Sequence, residues 1–287
     1  MPSGKRAKQQ RRSAAATAVR TPPPVRSKGA PGLRRPRQAS PRALAAGGAL
    51  VAAVVIAIVL AVVLSGGGHS SAANPLAGLP AVGNASSKVA LPGAQEANSL
   101  FQGIPQTGLV LGRPSAPVEM VMFIDVQCPI CQNYEVNYLP TIVQKYIRTG
   151  KVQLHLEPWA FIGPQSKSGR LGLIAASFQN KGFEYAKVLY DNQGTENSGW
   201  LDDRMMAQVA ASVTGLNLKQ WWTAVNGSAA QTIANKVDQL ASKDKVAGTP
   251  TVFVGRTGGK LHDIMPAGYA PNLQITERAL DAALAGT

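Results

Sequence analysis

The chain has 287 residues, enough for one ordinary domain with flanking segments or for two small domains. Its formal net charge is +14, but 12 of its 29 Lys and Arg residues lie in residues 1–42, which contain no Asp or Glu. The rest of the chain has 17 basic and 15 acidic side chains, so its composition does not indicate a nucleic-acid-binding domain.

The first 42 residues are rich in Pro, Ala, Ser and Gln and contain few large apolar side chains, so they are predicted to form a disordered basic tail. Two roles fit this charge: an arm that binds nucleic acid, or the cytoplasmic flank of a membrane span attracted to anionic lipids. Residues 43–64 favour the second role, because they form an uncharged apolar run long enough to cross a bilayer.

Basic residues lie before the apolar run at 43–64 and not directly after it. This asymmetry predicts a single-pass protein of the cell membrane, with its N-terminus in the cytoplasm and its C-terminal part outside. A cleaved signal peptide is the alternative, although its apolar region is usually shorter. Residues 65–105, rich in Gly, Ala, Ser and Pro, are predicted to form a flexible linker. The folded domain is then expected at 106–287.

The apolar patterns in and before this domain predict a series of helices and strands. In chain order they are a short helix at 95–101, strands at 107–111 and 118–126, a helix at 129–148, a strand at 151–156, a helical block at about 166–245, a hairpin at 251–264 and a helix at 272–285. Strands joined by helices and followed by a hairpin predict an α/β fold, with a mixed sheet covered by helices on both faces.

The two cysteines of the chain, Cys128 and Cys131, lie in a Cys-Pro-Ile-Cys sequence between a predicted buried strand and a predicted helix. The start of a helix carries unpaired N–H groups and a partial positive charge, which favour a thiolate. Cys131 lies one turn further on, within reach of Cys128. The pair is therefore predicted to cycle between dithiol and disulfide, with Cys128 as the attacking sulfur and Cys131 as the resolving one.

Two other roles for the cysteines are weaker. A structural disulfide that closes so short a loop contributes little stability. A zinc site needs four ligands, and the chain has no second cysteine pair and three scattered histidines. No metal and no cofactor are therefore expected.

The segment 123–131, Phe-Ile-Asp-Val-Gln-Cys-Pro-Ile-Cys, resembles the F-x-D-x-x-C-P-x-C signature of exported DsbA-like proteins of the thioredoxin superfamily. The segment 246–254, which includes Gly-Thr-Pro-Thr, is similar to a second motif of that family. Glu157-Pro158-Trp159 and residues 190–193 also resemble bacterial members. The resemblance extends over about residues 95–287.

The resemblance implies a thioredoxin fold with a helical domain inserted between the third strand and the hairpin. It implies a cis peptide bond between Thr249 and Pro250, beside the cysteines, where both residues contact substrate. It also implies an extracytoplasmic thiol–disulfide oxidoreductase that forms disulfides in exported proteins and has a membrane redox partner. A reductase or isomerase, and an anchored peptide-binding chaperone without enzymatic activity, remain alternatives.

Two carboxylates near these motifs are candidates for proton transfer. Asp125 lies three residues before Cys128, and a solvated carboxylate at the strand end is an equal alternative. Glu157 follows the third strand, where a surface or capping role competes with a buried proton relay.

Overall fold

The computed structural model of the chain describes residues 74–265 and 270–286, all within the unit Ser70–Thr287. The basic tail predicted at 1–42 and the membrane span predicted at 43–64 lie outside these residues. Among the helices in the described ranges, none has both the length and the apolar character that crossing a membrane requires.

The described part of the chain contains helices and strands in the following order. They are α1 (Ala94–Phe101), β1 (Gln106–Thr107), β2 (Val110–Leu111), β3 (Val118–Ile124), α2 (Pro129–Asn137), α3 (Leu139–Ile142), a π-helical turn (Val143–Ile147), β4 (Val152–Pro158), α4 (Pro164–Ser177), α5 (Gly182–Asp191), α6 (Asp203–Ala211), α7 (Leu218–Val225), α8 (Ser228–Lys243), β5 (Thr251–Arg256), β6 (His262–Asp263) and α9 (Leu273–Ala285).

The six strands form one mixed sheet in the order β1-β2-β4-β3-β5-β6. At its centre β3 runs parallel to β4 and antiparallel to β5, with Phe123 opposite both Glu157 and Thr251. The continuous apolar run of β3 is explained by this position, because a central strand is covered on both faces. One face packs with helical residues such as Tyr134 and Leu280 in the main core, and the other packs on Val237 of α8.

Five helices, α4 to α8, lie between β4 and β5 and form the inserted helical domain that the resemblance implies. The predicted mixed α/β architecture with this insertion is therefore confirmed. The insertion meets the sheet near the carboxyl ends of β3 and β4, where residues 125–127 lead from β3 to α2. We call residues 125–127 the redox loop.

The helix predicted at 129–148 is not continuous. It breaks at Tyr138, and a new helix begins at Leu139 with Pro140 in its first turn. Proline has no N–H to donate to the carbonyl of Val136, so the first helix cannot run through this position unchanged. A π-helical turn follows, closed by a hydrogen bond from Arg148 N to Val143 O at 2.8 Å.

The strand predicted at 107–111 is also interrupted. Gly108 adopts a left-handed φ of 59°, and the chain reverses there to form a tight hairpin in which Gln106 pairs with Leu111. Glycine reaches this conformation without the strain that a side chain would bring.

The linker predicted at 65–105 is wrong for residues 74–105, which are folded against the helical domain. Gly83 N donates to Leu216 O at 2.8 Å, and Asn84 N donates to Ala211 O at 2.9 Å. Further along, Ala97 and Phe101 of α1 are buried in the main core. Small residues and Pro or Gly made this segment look like a tether, although they are the residues that allow close backbone approach. We call residues 74–93 the N-terminal strap.

Candidate active site

Cys128 caps the helix that carries Cys131. Its backbone is extended, and Pro129 occupies the first helical position, where a missing N–H costs little. The Sγ of Cys128 accepts a hydrogen bond from Cys131 N at 3.4 Å, so the sulfur lies at the positive end of α2. Both cysteines are free thiols in this structure, and both are buried.

The two sulfurs have opposite acid–base properties. A hydrogen bond from Cys131 is the largest effect on Cys128 and, with Thr249 and backbone N–H groups, lowers its pKa from 9.0 to about 6 against the opposing effect of burial. Burial raises the pKa of Cys131 well above 9.0, and the hydrogen bond and charge of Cys128 raise it further. At neutral pH Cys128 is therefore a thiolate and Cys131 a thiol.

The peptide bond between Thr249 and Pro250 is cis, as the resemblance implies. The Thr249 carbonyl oxygen lies 3.3 Å from Cys128 Sγ. A groove of about 450 Å³ runs beside this loop. Its lining includes Ile130, Val246, Thr249, Pro250, Phe253 and Met265.

Asp125 is not the solvated carboxylate that was one alternative, because only 1% of its surface is exposed. Its Oδ1 accepts hydrogen bonds from Gln127 N at 2.9 Å and Ser166 Oγ at 2.6 Å. Its Oδ2 accepts from Phe161 N at 2.9 Å and Ile162 N at 3.1 Å. Three of these bonds tie the redox loop to neighbouring segments and the fourth lies within the loop, and the predicted role in proton transfer stays a prediction.

Glu157 lies in β4, in the same row of the sheet as Phe123 and Thr251, and its side chain is half-buried. Burial and, to a smaller degree, the charge of Asp244 raise its pKa from 4.5 to about 7. Glu157 therefore has the acid–base properties of a proton carrier near neutral pH. No described hydrogen bond joins it to either cysteine, so its relay role also stays a prediction.

Four further side chains in or beside the redox loop were not predicted as site residues. The Tyr190 hydroxyl donates to Asp125 O at 2.9 Å, and the Gln193 side chain donates to Gln127 O at 2.9 Å. Gln127 and Ser166 are fully buried and bonded to each other at 3.0 Å. Tyr190 and Gln193 belong to the segment 190–193 that resembles bacterial relatives, and this resemblance was the only sequence feature that marked them. No sequence feature marked Ser166 as a site residue.

A buried charge cluster lies behind the redox helix, one turn beyond Cys131. Glu135 of α2 faces Lys187 and Asp191 of α5, which form an ion pair. Burial raises the pKa of Glu135 from 4.5 to about 8; the charge of Lys187 opposes this rise and that of Asp191 adds to it. At neutral pH the cluster therefore holds one ion pair and a largely neutral carboxyl group.

The comparisons with known proteins agree with this geometry. A family model described as thioredoxin matches residues 105–263, from the first hairpin to the last strand and including the cysteine pair. The chain belongs to the thioredoxin family. Within that superfamily it is a DsbA-like thiol–disulfide oxidoreductase, as the similarity to curated relatives shows.

Among the relatives of this thioredoxin-family protein is the probable disulfide bond formation protein D of Bacillus cereus. The two are 31% identical over 147 residues, which cover 50% of this chain and 68% of the relative. Disulfide bond formation protein D of Bacillus subtilis is 26% identical over 153 residues, covering 50% and 66% of the two chains.

Two solved structures share the fold of this thioredoxin-family chain. Oxidised BdbD from Bacillus subtilis superposes with a TM-score of 0.55 at 20% identity, covering 64% of this chain and 98% of its own. The α-DsbA1 of Wolbachia pipientis gives a TM-score of 0.54 at 20% identity, covering 66% and 96%.

Proposed function

We propose that this protein forms disulfides in exported proteins through Cys128 and Cys131. A substrate thiolate attacks Cys128 of the oxidised pair, the bond between the two cysteines breaks, and Cys131 leaves and takes up a proton. A second substrate thiolate then attacks the substrate sulfur of the mixed disulfide, and Cys128 leaves as a thiolate. The substrate has lost two electrons and gained a disulfide, and the enzyme holds the dithiol.

The position of Cys128 Sγ at the start of α2, where it accepts a hydrogen bond from Cys131 N, is the observation that carries this direction of electron flow. A thiolate that is stabilised in the folded dithiol favours the reduced enzyme and makes its disulfide a stronger oxidant. A pKa of about 6 in place of 9.0 stabilises the dithiol by about 1.4 kcal/mol at pH 7, or about 30 mV in reduction potential. The same property makes Cys128 the better leaving group, so mixed disulfides resolve towards oxidised substrate.

The groove beside Pro250 supports a polypeptide substrate. Its lining combines apolar side chains such as Ile130 and Phe253 with residues 248–250, and the Thr249 carbonyl oxygen lies 3.3 Å from Cys128 Sγ. The side chain of Ile130, which lines the groove, is about half exposed. An unfolded chain, which still exposes apolar side chains next to its cysteine thiols, can cover this surface.

The proposal places the enzyme outside the cytoplasm, as a single-pass protein of the cell membrane with its N-terminus in the cytoplasm. The uncharged apolar run at 43–64 after a basic segment supports this orientation. Two Bacillus relatives are named as disulfide bond formation proteins, which supports thiol-containing proteins as the substrates. A membrane redox partner would then remove two electrons from each dithiol and restore the disulfide.

The reduction potential of the pair tests the proposed direction. We equilibrate the full-length protein with glutathione buffers and expect a reduction potential nearer to about −120 mV than to about −270 mV. The first value is typical of oxidising members of the superfamily and the second of thioredoxin. A value near −270 mV would assign the chain to reductases instead. The C128A variant is the control, since it should neither titrate in this range nor oxidise a reduced model protein.

A further inference from the structure

The redox loop is bonded mainly to the inserted helical domain and to the segment that leads into it. Ser166, in the first turns of α4, is shared by the two buried polar side chains of the loop. Its Oγ donates to Asp125 Oδ1 at 2.6 Å and accepts from Gln127 Nε2 at 3.0 Å. Ser166 is itself fully buried, so neither bond competes with water.

The rest of the loop is bonded to the insertion in the same way. The Oε1 of Gln127 accepts from Asn197 N at 3.1 Å, and its carbonyl oxygen accepts from Gln193 Nε2 at 2.9 Å. The Asp125 carbonyl oxygen accepts from the Tyr190 hydroxyl at 2.9 Å. Residues of α4, α5 and the loop after α5 therefore form hydrogen bonds with both the side chains and the backbone of Asp125 and Gln127.

The redox loop in turn sets the position of the first cysteine. Cys128 N donates to Asp125 O at 2.9 Å, so the helix cap is bonded directly to the loop. The bond from Cys131 N to Cys128 Sγ measures 3.4 Å, an ordinary length for a sulfur acceptor, and a displacement of the cap would lengthen and weaken it. The position of the loop therefore decides how well the start of α2 stabilises the sulfur.

We propose that the inserted helical domain holds the redox loop in the position that stabilises the Cys128 thiolate, with Ser166 as the central positioning residue. Ser166 touches neither sulfur and acts through Asp125 and Gln127. Without its hydroxyl, Asp125 loses a donor and Gln127 an acceptor. The loop then relaxes, and both the cap bond to Cys128 N and the bond from Cys131 N to Cys128 Sγ weaken. Each of these changes disfavours the thiolate. The inference deepens the proposed function, because it rests on Cys128 as the reactive thiolate.

The Ser166→Ala variant tests this role, and the pKa of Cys128 is the readout. In the reduced full-length protein, the pH dependence of thiolate absorbance and of alkylation rate should show a rise of about half a unit to one unit. The alkylation rate at pH 6, expressed as a fraction of the plateau rate at high pH, should then fall by about twofold to fivefold from the wild-type value. A loss of stability alone would not move this pH profile.

Ser177→Ala is the matched control. Ser177 lies on the same helix and is also buried, but its hydroxyl donates to Ile174 O within α4 at 2.7 Å. We expect S177A to keep the wild-type pKa of Cys128 within about 0.2 unit while losing comparable stability. Equal pKa shifts in both variants, or no shift in S166A, would overturn the inference.

Gln193→Ala provides a second test if S166A does not fold. The Gln193 side chain is only half-buried, and the variant removes a single bond to the Gln127 carbonyl. We expect a smaller rise in the pKa of Cys128, and an unchanged profile in Q193A would then overturn the inference. A wild-type Cys128 that shows no lowered pKa would instead overturn the proposed function, so the two failures are distinct.

Discussion

The two cysteines show how one helix start separates two chemically identical side chains. Cys128 receives hydrogen bonds at the cap, whereas Cys131 is enclosed one turn further on, and their pKa values move in opposite directions. The sequence predicted the direction for Cys128 from its place before a helix. The burial of Cys131 depends on packing from distant segments and was not predicted.

Glu135 allows a prediction at the same scale, because its folded pKa of about 8 lies above its ordinary value of 4.5. Between these values the folded protein keeps a proton that the unfolded chain has lost, so the stabilising effect is complete below about pH 4.5 and is lost as the pH rises to about 8. Glu135→Gln removes this dependence. We compare the unfolding free energy of E135Q with that of the wild type at each pH. This difference should be more favourable to E135Q at pH 8.5 than at pH 5, by at least about 1 kcal/mol.

Thermal or urea unfolding of the oxidised protein at both pH values measures this difference, since the disulfide removes the ionisation of the cysteines. Glu196→Gln, which changes an exposed carboxylate in the loop after α5, is the control and should parallel the wild type. Parallel curves for E135Q and the wild type would show that Glu135 does not hold a proton in the folded state.

At the scale of elements, the N-terminal strap is the largest difference from the sequence-based expectation. Its backbone pairs with the loop between α6 and α7, including an isolated β-bridge from Val82 to Asn217. Gly83 sits closest to its neighbours, because a Cβ built there would overlap the carbonyl oxygens of Val213 and Ala210. The strap is thus a component of the helical domain.

Gly83→Ala should therefore release the strap. The backbone of Gly83 is not left-handed, so the expected cost comes from the overlap, and we expect a loss of about 2 kcal/mol or more in unfolding free energy. Gly248→Ala is a matched control for stability, since a Cβ there meets nothing within 4 Å. Chemical denaturation of both variants measures the difference. Equal stability of G83A and the wild type would mean that the strap contributes little.

The break between α2 and α3 was readable from the sequence at one residue. Pro140 lies inside the apolar pattern that predicted a helix at 129–148, and a proline within such a pattern ends or kinks the helix. The π-helical turn that follows has no comparable local signal. The other helices and strands were predictable where their apolar residues repeat with the period of a helix or alternate as in a strand.

For the whole molecule, the folded strap shortens the linker that was predicted at 65–105, because residues 74–105 belong to the folded unit. The extracytoplasmic placement of this unit stays a proposal.

A topology experiment tests the proposed placement. In intact cells whose cytoplasmic membrane is accessible to added protease, the protease should digest the folded domain. An epitope tag at residue 1 should stay protected. Deletion of residues 1–64 behind a separate export signal should release the domain from the membrane fraction. Protection of the folded domain would contradict an extracytoplasmic location, and a released wild-type domain would indicate cleavage of the apolar segment.

The sequence by itself determined the α/β class and the position of the redox pair at a helix start, whereas the cis bond at Thr249–Pro250 was implied by the family resemblance. These features depend on residues adjacent in the chain, whose spacing and type decide local conformation. Only the tertiary structure decided the surroundings of the pair. Gln127 meets Ser166 across 39 positions and Asp125 meets Tyr190 across 65. Such contacts arise when packing brings buried donors and acceptors together, and no local pattern encodes that pairing.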